Sequence, residues 1–320
     1  MYRIITNAIV LFLFWLMFAL AVASHAAQFD YGPQPYGPLQ TEERWGTYQS
    51  DAAEGDVRYF LVKPKGEKLY PGIYYIYGRP GFDHRLMPEL HRLASFGFTV
   101  FVAHFQEALL IPVLIPVSDP PEVVPVQIDG FQAFMKLKER SPGPVCIVST
   151  VRGGQYALRL ASQPEVACYV GYHPVFTDHS LPEQHQDVML MPEVRNLKVP
   201  TLLMVGDWDF EVRVNQSKRI EQYLKMHGIP VELVIYPEAQ RGFDFRVNGR
   251  SLADDLAKID SMNRTVAFVS KYLGGDSNLD MDSNAMAPLP SSITLVPQPK
   301  VVKRPRATSK ASAISTEDGQ

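Results

Sequence analysis

The sequence predicts an α/β fold in which a largely parallel sheet is covered by helices on both faces. Apolar segments of strand length alternate with segments of helical periodicity over residues 56–275. Such alternation is typical of strand–helix–strand units, which build parallel sheets. Gly and Pro residues mark most of the junctions between the segments. We therefore expect residues 56–275 to form one domain with a sizeable core.

The predicted strands are short apolar runs bounded by turn residues. They cover residues 56–62, 72–77, 98–103, 166–174, 201–205 and 231–236, and a further strand starts at residue 144. The apolar run 108–117 is different, because Pro112 and Pro116 exclude a regular strand or helix there. We expect this run to pack against the domain, with a flap over a pocket or an interaction surface as the alternatives.

Helices are predicted where apolar residues recur at intervals of three and four between suitable flanking residues. They cover residues 87–96, 125–139, 156–161, 216–227 and 253–273. Gly97 ends the first helix, and Pro125 suits the first turn of the second. The residues of the second helix that we expect to face the core are Ile128, Phe131, Phe134 and Met135.

The first 27 residues have the layout of a secretory signal peptide. Arg3 precedes the uncharged apolar run 9–20, and small residues follow at 21–23 and 24–26. An uncleaved membrane anchor is the alternative, but the run is shorter than the roughly 20 residues that a spanning helix needs. We expect an exported protein, periplasmic or secreted, with no stable membrane span after cleavage. Residues 28–55, rich in Pro, Gly and Tyr, are expected to form an irregular lead-in.

The composition of the C-terminal tail and the net charge of the chain indicate which partners to expect. Residues 276–320 are rich in Ser, Pro and Asp without an amphipathic period, so we expect a disordered tail. Its basic part, residues 300–310, is expected to be solvated, with docking to a protein partner or an anionic surface as the alternative. The net charge of −3 gives no general basis for nucleic-acid binding.

The chain contains two cysteines, Cys146 and Cys168. Neither belongs to a Cys-x-x-Cys pair that would suggest a metal or redox site. Export would permit a disulfide, but a bridge between two core strands needs a particular Cβ geometry. We interpret the pair as two buried thiols, with a disulfide as the alternative.

One stretch, residues 147–155 with the sequence Ile-Val-Ser-Thr-Val-Arg-Gly-Gly-Gln, organises the chain. A strand, a sharp turn with paired glycines and a helix is how α/β-hydrolases present a catalytic nucleophile. The nucleophile belongs two residues before the first glycine, and that residue is Val151. Because a valine side chain cannot attack a carbonyl carbon, the stretch predicts the fold without its usual chemistry.

The order of motifs resembles the dienelactone hydrolase family of α/β-hydrolases over residues 57–273. The segments that carry the resemblance are residues 71–81, 91–98, 151–154, 170–172, 206–209, 236–243 and 263–268. The resemblance implies an α/β-hydrolase fold. It also implies that a nucleophile, an acid and a histidine base would stand at positions 151, 209 and 241.

The departures from the family pattern concern that catalytic triad. The family uses Cys or Ser, Asp and His, whereas this chain has Val151, Asp209 and Arg241. An orienting carboxylate with no imidazole to hold performs no catalysis by itself. The family's acidic residue in the first oxyanion loop falls on Gly78, and its carboxylate-binding arginine falls on Phe245, one position before Arg246. We therefore expect no standard hydrolysis.

Other residues near the strand–turn–helix stretch at 147–155, which we call the elbow, could restore a nucleophile or a base. Strand alternation points Ser149 and Thr150 away from the exposed apex, so we expect their hydroxyls to be structural. His173, at the end of a strand, is interpreted as a hydrogen-bonded structural histidine, with a replacement base as the alternative. A loose cluster of His173, Asp178, His179 and His185 matches no metal-ligand spacing. No metal or other cofactor is predicted.

Positive charge remains around the predicted site. Arg79 lies in the oxyanion loop, Arg152 follows the apex, and Arg241 replaces the base. We expect Arg241 to pair with Asp209, while Arg79 or Arg152 turned inward would suit a small anionic ligand. Two classes of function follow. The first is a non-hydrolytic binding or interaction protein, and the second is a hydrolase of small esters or lactones with a non-standard nucleophile.

Overall fold

A computed structural model of the chain describes residues 36–78, 81–82, 84–111, 123–176, 192–209, 211–246 and 249–274. Within these ranges eight strands form one sheet in the order β1-β2-β4-β3-β5-β6-β7-β8. The strands are β1 Thr41–Tyr48, β2 Val57–Pro64, β3 Gly72–Ile76, β4 Thr99–Ala103, β5 Val145–Thr150, β6 Val166–Tyr172, β7 Thr201–Trp208 and β8 Val231–Gln240. β2 is antiparallel to both of its neighbours, and the other pairs are parallel. The predicted, largely parallel sheet is confirmed.

Helices cover both faces of this sheet. They are α1 Met87–Ser95, α2 Phe105–Ala108, α3 Val123–Lys138, α4 Gly153–Ala157, α5 Glu211–Met226 and α6 Leu252–Leu273. Successive residues of a strand point to opposite faces. In β3, Tyr75 lines a small cavity with Glu89 of α1 and Lys258 of α6. The Tyr74 hydroxyl on the other face lies 3.9 Å from the place where a Cβ of Gly130 in α3 would stand.

The central strands are buried along their whole length. Every residue of β3, β4 and β5 is buried, which is typical of parallel strands covered on both faces and explains their continuous apolar runs. The ends of α6 follow ordinary capping rules. Ser251 and Asp254 form a reciprocal capping box at its start, and Gly274, with φ 64°, ends it in the left-handed conformation.

The expected irregular lead-in over residues 28–55 is wrong for residues 41–48, which form β1. This strand pairs antiparallel with β2 at the edge of the sheet. Most of its side chains are exposed, so the sequence Thr-Glu-Glu-Arg-Trp-Gly-Thr-Tyr carries no alternation of apolar and polar residues. Charged side chains are common on edge strands because they discourage pairing with another chain.

The predicted inner face of α3 is wrong in part. Phe134 is fully buried as expected, but Ile128, Phe131 and Met135 are 39%, 45% and 48% exposed. The residues that α3 does bury include Val126, Asp129, Ala133, Phe134 and Leu137. The helix carries apolar residues on two sides, and contacts from the rest of the fold decide which side faces inward.

Cys146 and Cys168 form a disulfide, so the interpretation as two buried thiols is wrong. The residues are register partners on the adjacent strands β5 and β6, with Cα atoms 4.7 Å apart. That separation lies within the range that a disulfide can bridge. The bond encloses the segment that contains the predicted elbow.

Three predictions concern residues outside the described ranges: the signal peptide over residues 1–27, the disordered tail over 276–320, and the packing of residues 112–117. The helix predicted over residues 156–161 starts and ends earlier in the structure. α4 covers Gly153–Ala157, and a short 3-10 turn, Leu160–Ser162, follows it. Among the helices in the described part of the chain, none combines the length and apolar character needed to cross a membrane.

Candidate functional site

The turn between β5 and α4 has the backbone geometry of a nucleophile elbow. Val151 stands at its apex with φ 52° and is 3% exposed. Its N–H donates to the Tyr172 carbonyl at 2.9 Å, and its own carbonyl accepts from the Val175 N–H at 2.9 Å. A β-branched residue in the left-handed region is strained by about 1–3 kcal/mol, so the surroundings must hold it there.

Glycines allow the neighbouring backbone to approach this turn. A Cβ at Gly153 would collide with the carbonyl oxygen of Ile76, the last residue of β3. A Cβ at Gly78 would lie 3.0 Å from the Val151 Cβ, and one at Gly154 would lie 3.0 Å from the Pro174 Cβ. The elbow is therefore locked between the end of β3 and the segment after β6. Gly78 stands where the family has an acidic residue, so this chain has no acidic side chain at that position.

The acid and base positions lie at the ends of β7 and β8. Trp208 and Gln240 are register partners, so Asp209 and Arg241, the next residues on each strand, are neighbours at the same edge of the sheet. Burial lowers the pKa of Arg241, the charge of Asp209 raises it, and the charges of Arg152 and Arg246 lower it. Three guanidinium groups and one carboxylate thus influence one another at this edge.

The loop after β8 carries two of those guanidinium groups. It covers residues 241–246, and we call it the Arg241 loop. Gly242 turns it with φ 76° and accepts backbone bonds from Phe245 at 3.1 Å and Arg246 at 2.7 Å. The Arg246 side chain donates from Nε and Nη2 to the Arg241 carbonyl, each at 3.3 Å. Arg246 therefore folds back onto the loop instead of extending into solvent.

A small cavity lies directly over the elbow. Its volume is about 20 Å³, which is room for about one water molecule. The described residues that line it are Tyr77, Gly78, Gly81, Arg85, Leu86, Thr150, Val151 and Phe245. Ligand sites for drug-sized molecules are usually at least about 300 Å³. The space that the described residues enclose above Val151 is therefore far smaller than such a site.

The two hydroxyls before the apex have different surroundings. Ser149 is fully buried, and its Oγ lies 2.7 Å from the Tyr169 hydroxyl, a core hydrogen bond that leaves it no catalytic role. Thr150 is also buried and lines the cavity, but its Oγ1 has no hydrogen-bond partner among the described residues. The His173 Nδ1 has none either, so these two residues are not joined as a nucleophile and its base.

His173 forms an imidazole–carboxylate pair with a residue that sequence reasoning missed. Its Nε2 lies 2.9 Å from Oδ1 of Asp244, which belongs to the Arg241 loop. His173 is fully buried and has φ 43°. The only sequence signal for Asp244 is a carboxylate directly after the Gly-Phe pair of the predicted histidine loop. The distance of 71 residues along the chain hides the pairing.

Several predicted positions lie outside the described ranges. They are Arg79, Asp178, His179 and His185. Within the described ranges, no three His, Cys, Asp or Glu residues are grouped closely enough to hold a metal ion.

The sheet order, the antiparallel β2 and the elbow between β5 and α4 define the class: the chain has the α/β-hydrolase fold. The more particular likeness is to the dienelactone hydrolase family. The model of this family matches residues 118–273, a segment that includes Val151, Asp209 and Arg241. The resemblance predicted from the sequence is thus confirmed. A comparison with curated proteins found no match.

Solved structures with the same fold include enzymes of several kinds. A candidate dienelactone hydrolase from Klebsiella pneumoniae subsp. pneumoniae is 18% identical, with a TM-score of 0.56 over 72% of this chain and 100% of that one. A dienelactone hydrolase-like promiscuous phosphotriesterase from metagenomic libraries is 15% identical, with a TM-score of 0.58 over 73% and 99%. An acylaminoacyl peptidase from Pyrococcus horikoshii is 14% identical, with a TM-score of 0.57 over 73% and 42%. At these identities the likeness establishes the fold alone.

Proposed function

We propose that this chain is an exported, non-hydrolytic protein of the dienelactone hydrolase family that binds a small anionic ligand beside the elbow. The observation that carries the proposal is that neither a nucleophile nor a histidine stands at the two catalytic positions, which hold Val151 at the apex and Arg241 after β8. Loss of either group costs a hydrolase several orders of magnitude in rate. The cavity of about 20 Å³ over Val151 supports the same conclusion.

The charges around Arg241 support an anion as the ligand. Arg152 and Arg246 both oppose the charge on Arg241, and Asp209 is the carboxylate that favours it. An anion bound among these groups would relieve the repulsion between the guanidinium groups. Guanidinium groups bind carboxylates and phosphates with paired hydrogen bonds, so these two chemistries are the proposed ligand classes. Arg79, the third arginine of the sequence prediction, remains a candidate ligand-binding residue.

The disulfide supports export. Disulfides persist in the periplasm and outside the cell, whereas cytosolic thiols are kept reduced. Cys146 and Cys168 are both fully buried, and the bond joins two central strands. This agrees with a chain that folds in an oxidising compartment after removal of residues 1–27.

Titration calorimetry with a panel of carboxylates and phosphates tests the ligand proposal. We expect binding that weakens with added salt, because exposed charge interactions are screened. The Arg241→Gln variant should weaken binding about tenfold or more, since hydrogen bonds to charged groups contribute about 1.5–3 kcal/mol. Arg140→Gln is the matched control, because this exposed arginine lies just after α3. No heat at millimolar ligand would count against the proposal.

A hydrolase with Thr150 as nucleophile is the second candidate. The Thr150 hydroxyl, which has no hydrogen-bond partner among the described residues, favours this function. The His173–Asp244 pair favours it too, because it resembles the base and acid of a triad. Burial of both residues and the size of the cavity oppose it. A fluorophosphonate probe separates the candidates. Covalent labelling that disappears in Thr150→Val would support hydrolysis and refute the binding-only function.

A further inference from the structure

The bond between His173 and Asp244 joins two parts of the site. His173 follows β6, and Asp244 lies in the middle of the Arg241 loop after β8. Both side chains are largely removed from water, with His173 fully buried and Asp244 9% exposed. An ionised carboxylate only accepts hydrogen bonds, so Nε2 carries the proton in this bond. The bond is therefore a charge-assisted contact that water competes for weakly.

The surroundings hold His173 in one orientation. Its φ of 43° is uncommon for a residue other than glycine, and its N–H donates to the Met204 carbonyl at 2.8 Å. The Phe243 ring packs edge-on against the imidazole at 4.4 Å and against the Tyr236 ring at 5.0 Å. The inner side of the Arg241 loop is thus fixed by one hydrogen bond and two ring contacts.

The outer side of the loop has a separate anchor. Arg250 donates to the Phe243 carbonyl at 2.8 Å and to the Arg246 carbonyl at 2.7 Å, and it pairs with Asp255 of α6 at 2.6 Å. The loop is therefore tied at its outer side to α6 and at its inner side to β6. In the family triad, the bond between the acid and the histidine joins the loops after β7 and β8. This chain has lost that histidine.

We propose that His173 and Asp244 are positioning residues whose hydrogen bond latches the Arg241 loop to the end of β6 and thereby sets the direction of the Arg241 guanidinium. This inference rests on the anion site proposed above. Neither residue needs to touch the ligand.

Amide hydrogen exchange tests the latch without any ligand. The amides of Phe245 and Arg246 donate within the loop, so their exchange reports its opening. His173→Phe keeps a buried ring but removes the bond, and we expect these amides to exchange at least about tenfold faster relative to those of β6. His173→Gln retains an amide N–H at a similar reach and should restore protection. His227→Phe is the control, because that histidine lies beside Tyr223 at the end of α5.

Asp244→Asn provides a second variant should His173→Phe fail to fold, since it keeps the shape and weakens the acceptor. Unchanged exchange of the loop in this variant and in any folded His173→Phe protein would overturn the latch. Calorimetry with inorganic phosphate and with acetate then tests the link to Arg241. We expect the latch variants to bind at least fivefold more weakly at unchanged salt. Faster loop exchange with unchanged affinity would refute that link. If the unmodified protein binds neither anion at millimolar concentration, the proposed function fails while the exchange data still decide the latch.

Discussion

Reduction of the Cys146–Cys168 disulfide should lower the free energy of unfolding by about 3 kcal/mol. The two cysteines are 22 residues apart in sequence, and the entropy of closing a loop of that length in the unfolded chain gives about this value at 25 °C. Urea unfolding followed by tryptophan fluorescence, with and without a thiol-free reducing agent, measures the difference. Because both sulfurs are buried, the samples should be equilibrated through the unfolded state before measurement.

The double variant Cys146→Ala/Cys168→Ala is the control, and reductant should leave its transition unchanged. The m-value should be somewhat larger for the reduced sample, because the unfolded chain exposes more surface without the crosslink. Coincident transitions of the unmodified protein in both conditions would refute the reasoning, because the loop enclosing the elbow would then contribute nothing. A transition shifted by far more than about 3 kcal/mol would point to packing around the sulfurs instead of loop entropy.

Three further predictions concern the elbow and the core. Val151→Cys with Arg241→His should give p-nitrophenyl acetate hydrolysis that neither single variant shows, since nucleophile and base act as a unit; activity in a single variant would contradict this. Gly153→Ala should lower the melting temperature strongly, because overpacking of a rigid contact costs about 1–3 kcal/mol or more, whereas Gly143→Ala, with open space around it, should leave it nearly unchanged. Burial raises the pKa of Asp129, so its contribution to stability is present below about pH 4 and lost as the pH rises through the folded-state pKa. Asp129→Asn should remove that loss, as urea unfolding across pH would show; an unchanged pH profile would exclude the effect.

The parallel strands could be predicted from sequence because they are buried on both faces and appear as continuous apolar runs. The elbow could be predicted because the close approach of β3 demands glycine at position 153, and paired glycines after a strand are visible in any sequence. β1 was not predicted, because an exposed edge strand has neither a continuous apolar run nor paired glycines after it. The direction of α3 escaped prediction because both of its sides are apolar, and only the contacts of Phe134 and Leu137 with the rest of the fold select one.

Local sequence patterns do not show which residues pair across long distances in the chain. The disulfide required the register of β5 against β6, which places Cys146 opposite Cys168. The bond from His173 to Asp244 required knowledge that the loop after β8 turns back over the end of β6. In both cases the residue types were visible, and the missing information was which strand ends become neighbours.

The elbow of this chain separates the packing role of the turn from its catalytic role. Val151 keeps a left-handed backbone at a cost of about 1–3 kcal/mol although its side chain can attack nothing. The cause lies in the neighbours: its N–H and carbonyl are bonded to the segment around Tyr172 and Val175, and β3 leaves no room for a Cβ at Gly153. Replacement of the apex side chain therefore removes the chemistry without disturbing the turn, whereas any change at Gly153 must move β3. This chain thus keeps the turn and the same edge of the sheet, with Arg241 and its loop, although its apex carries no nucleophile.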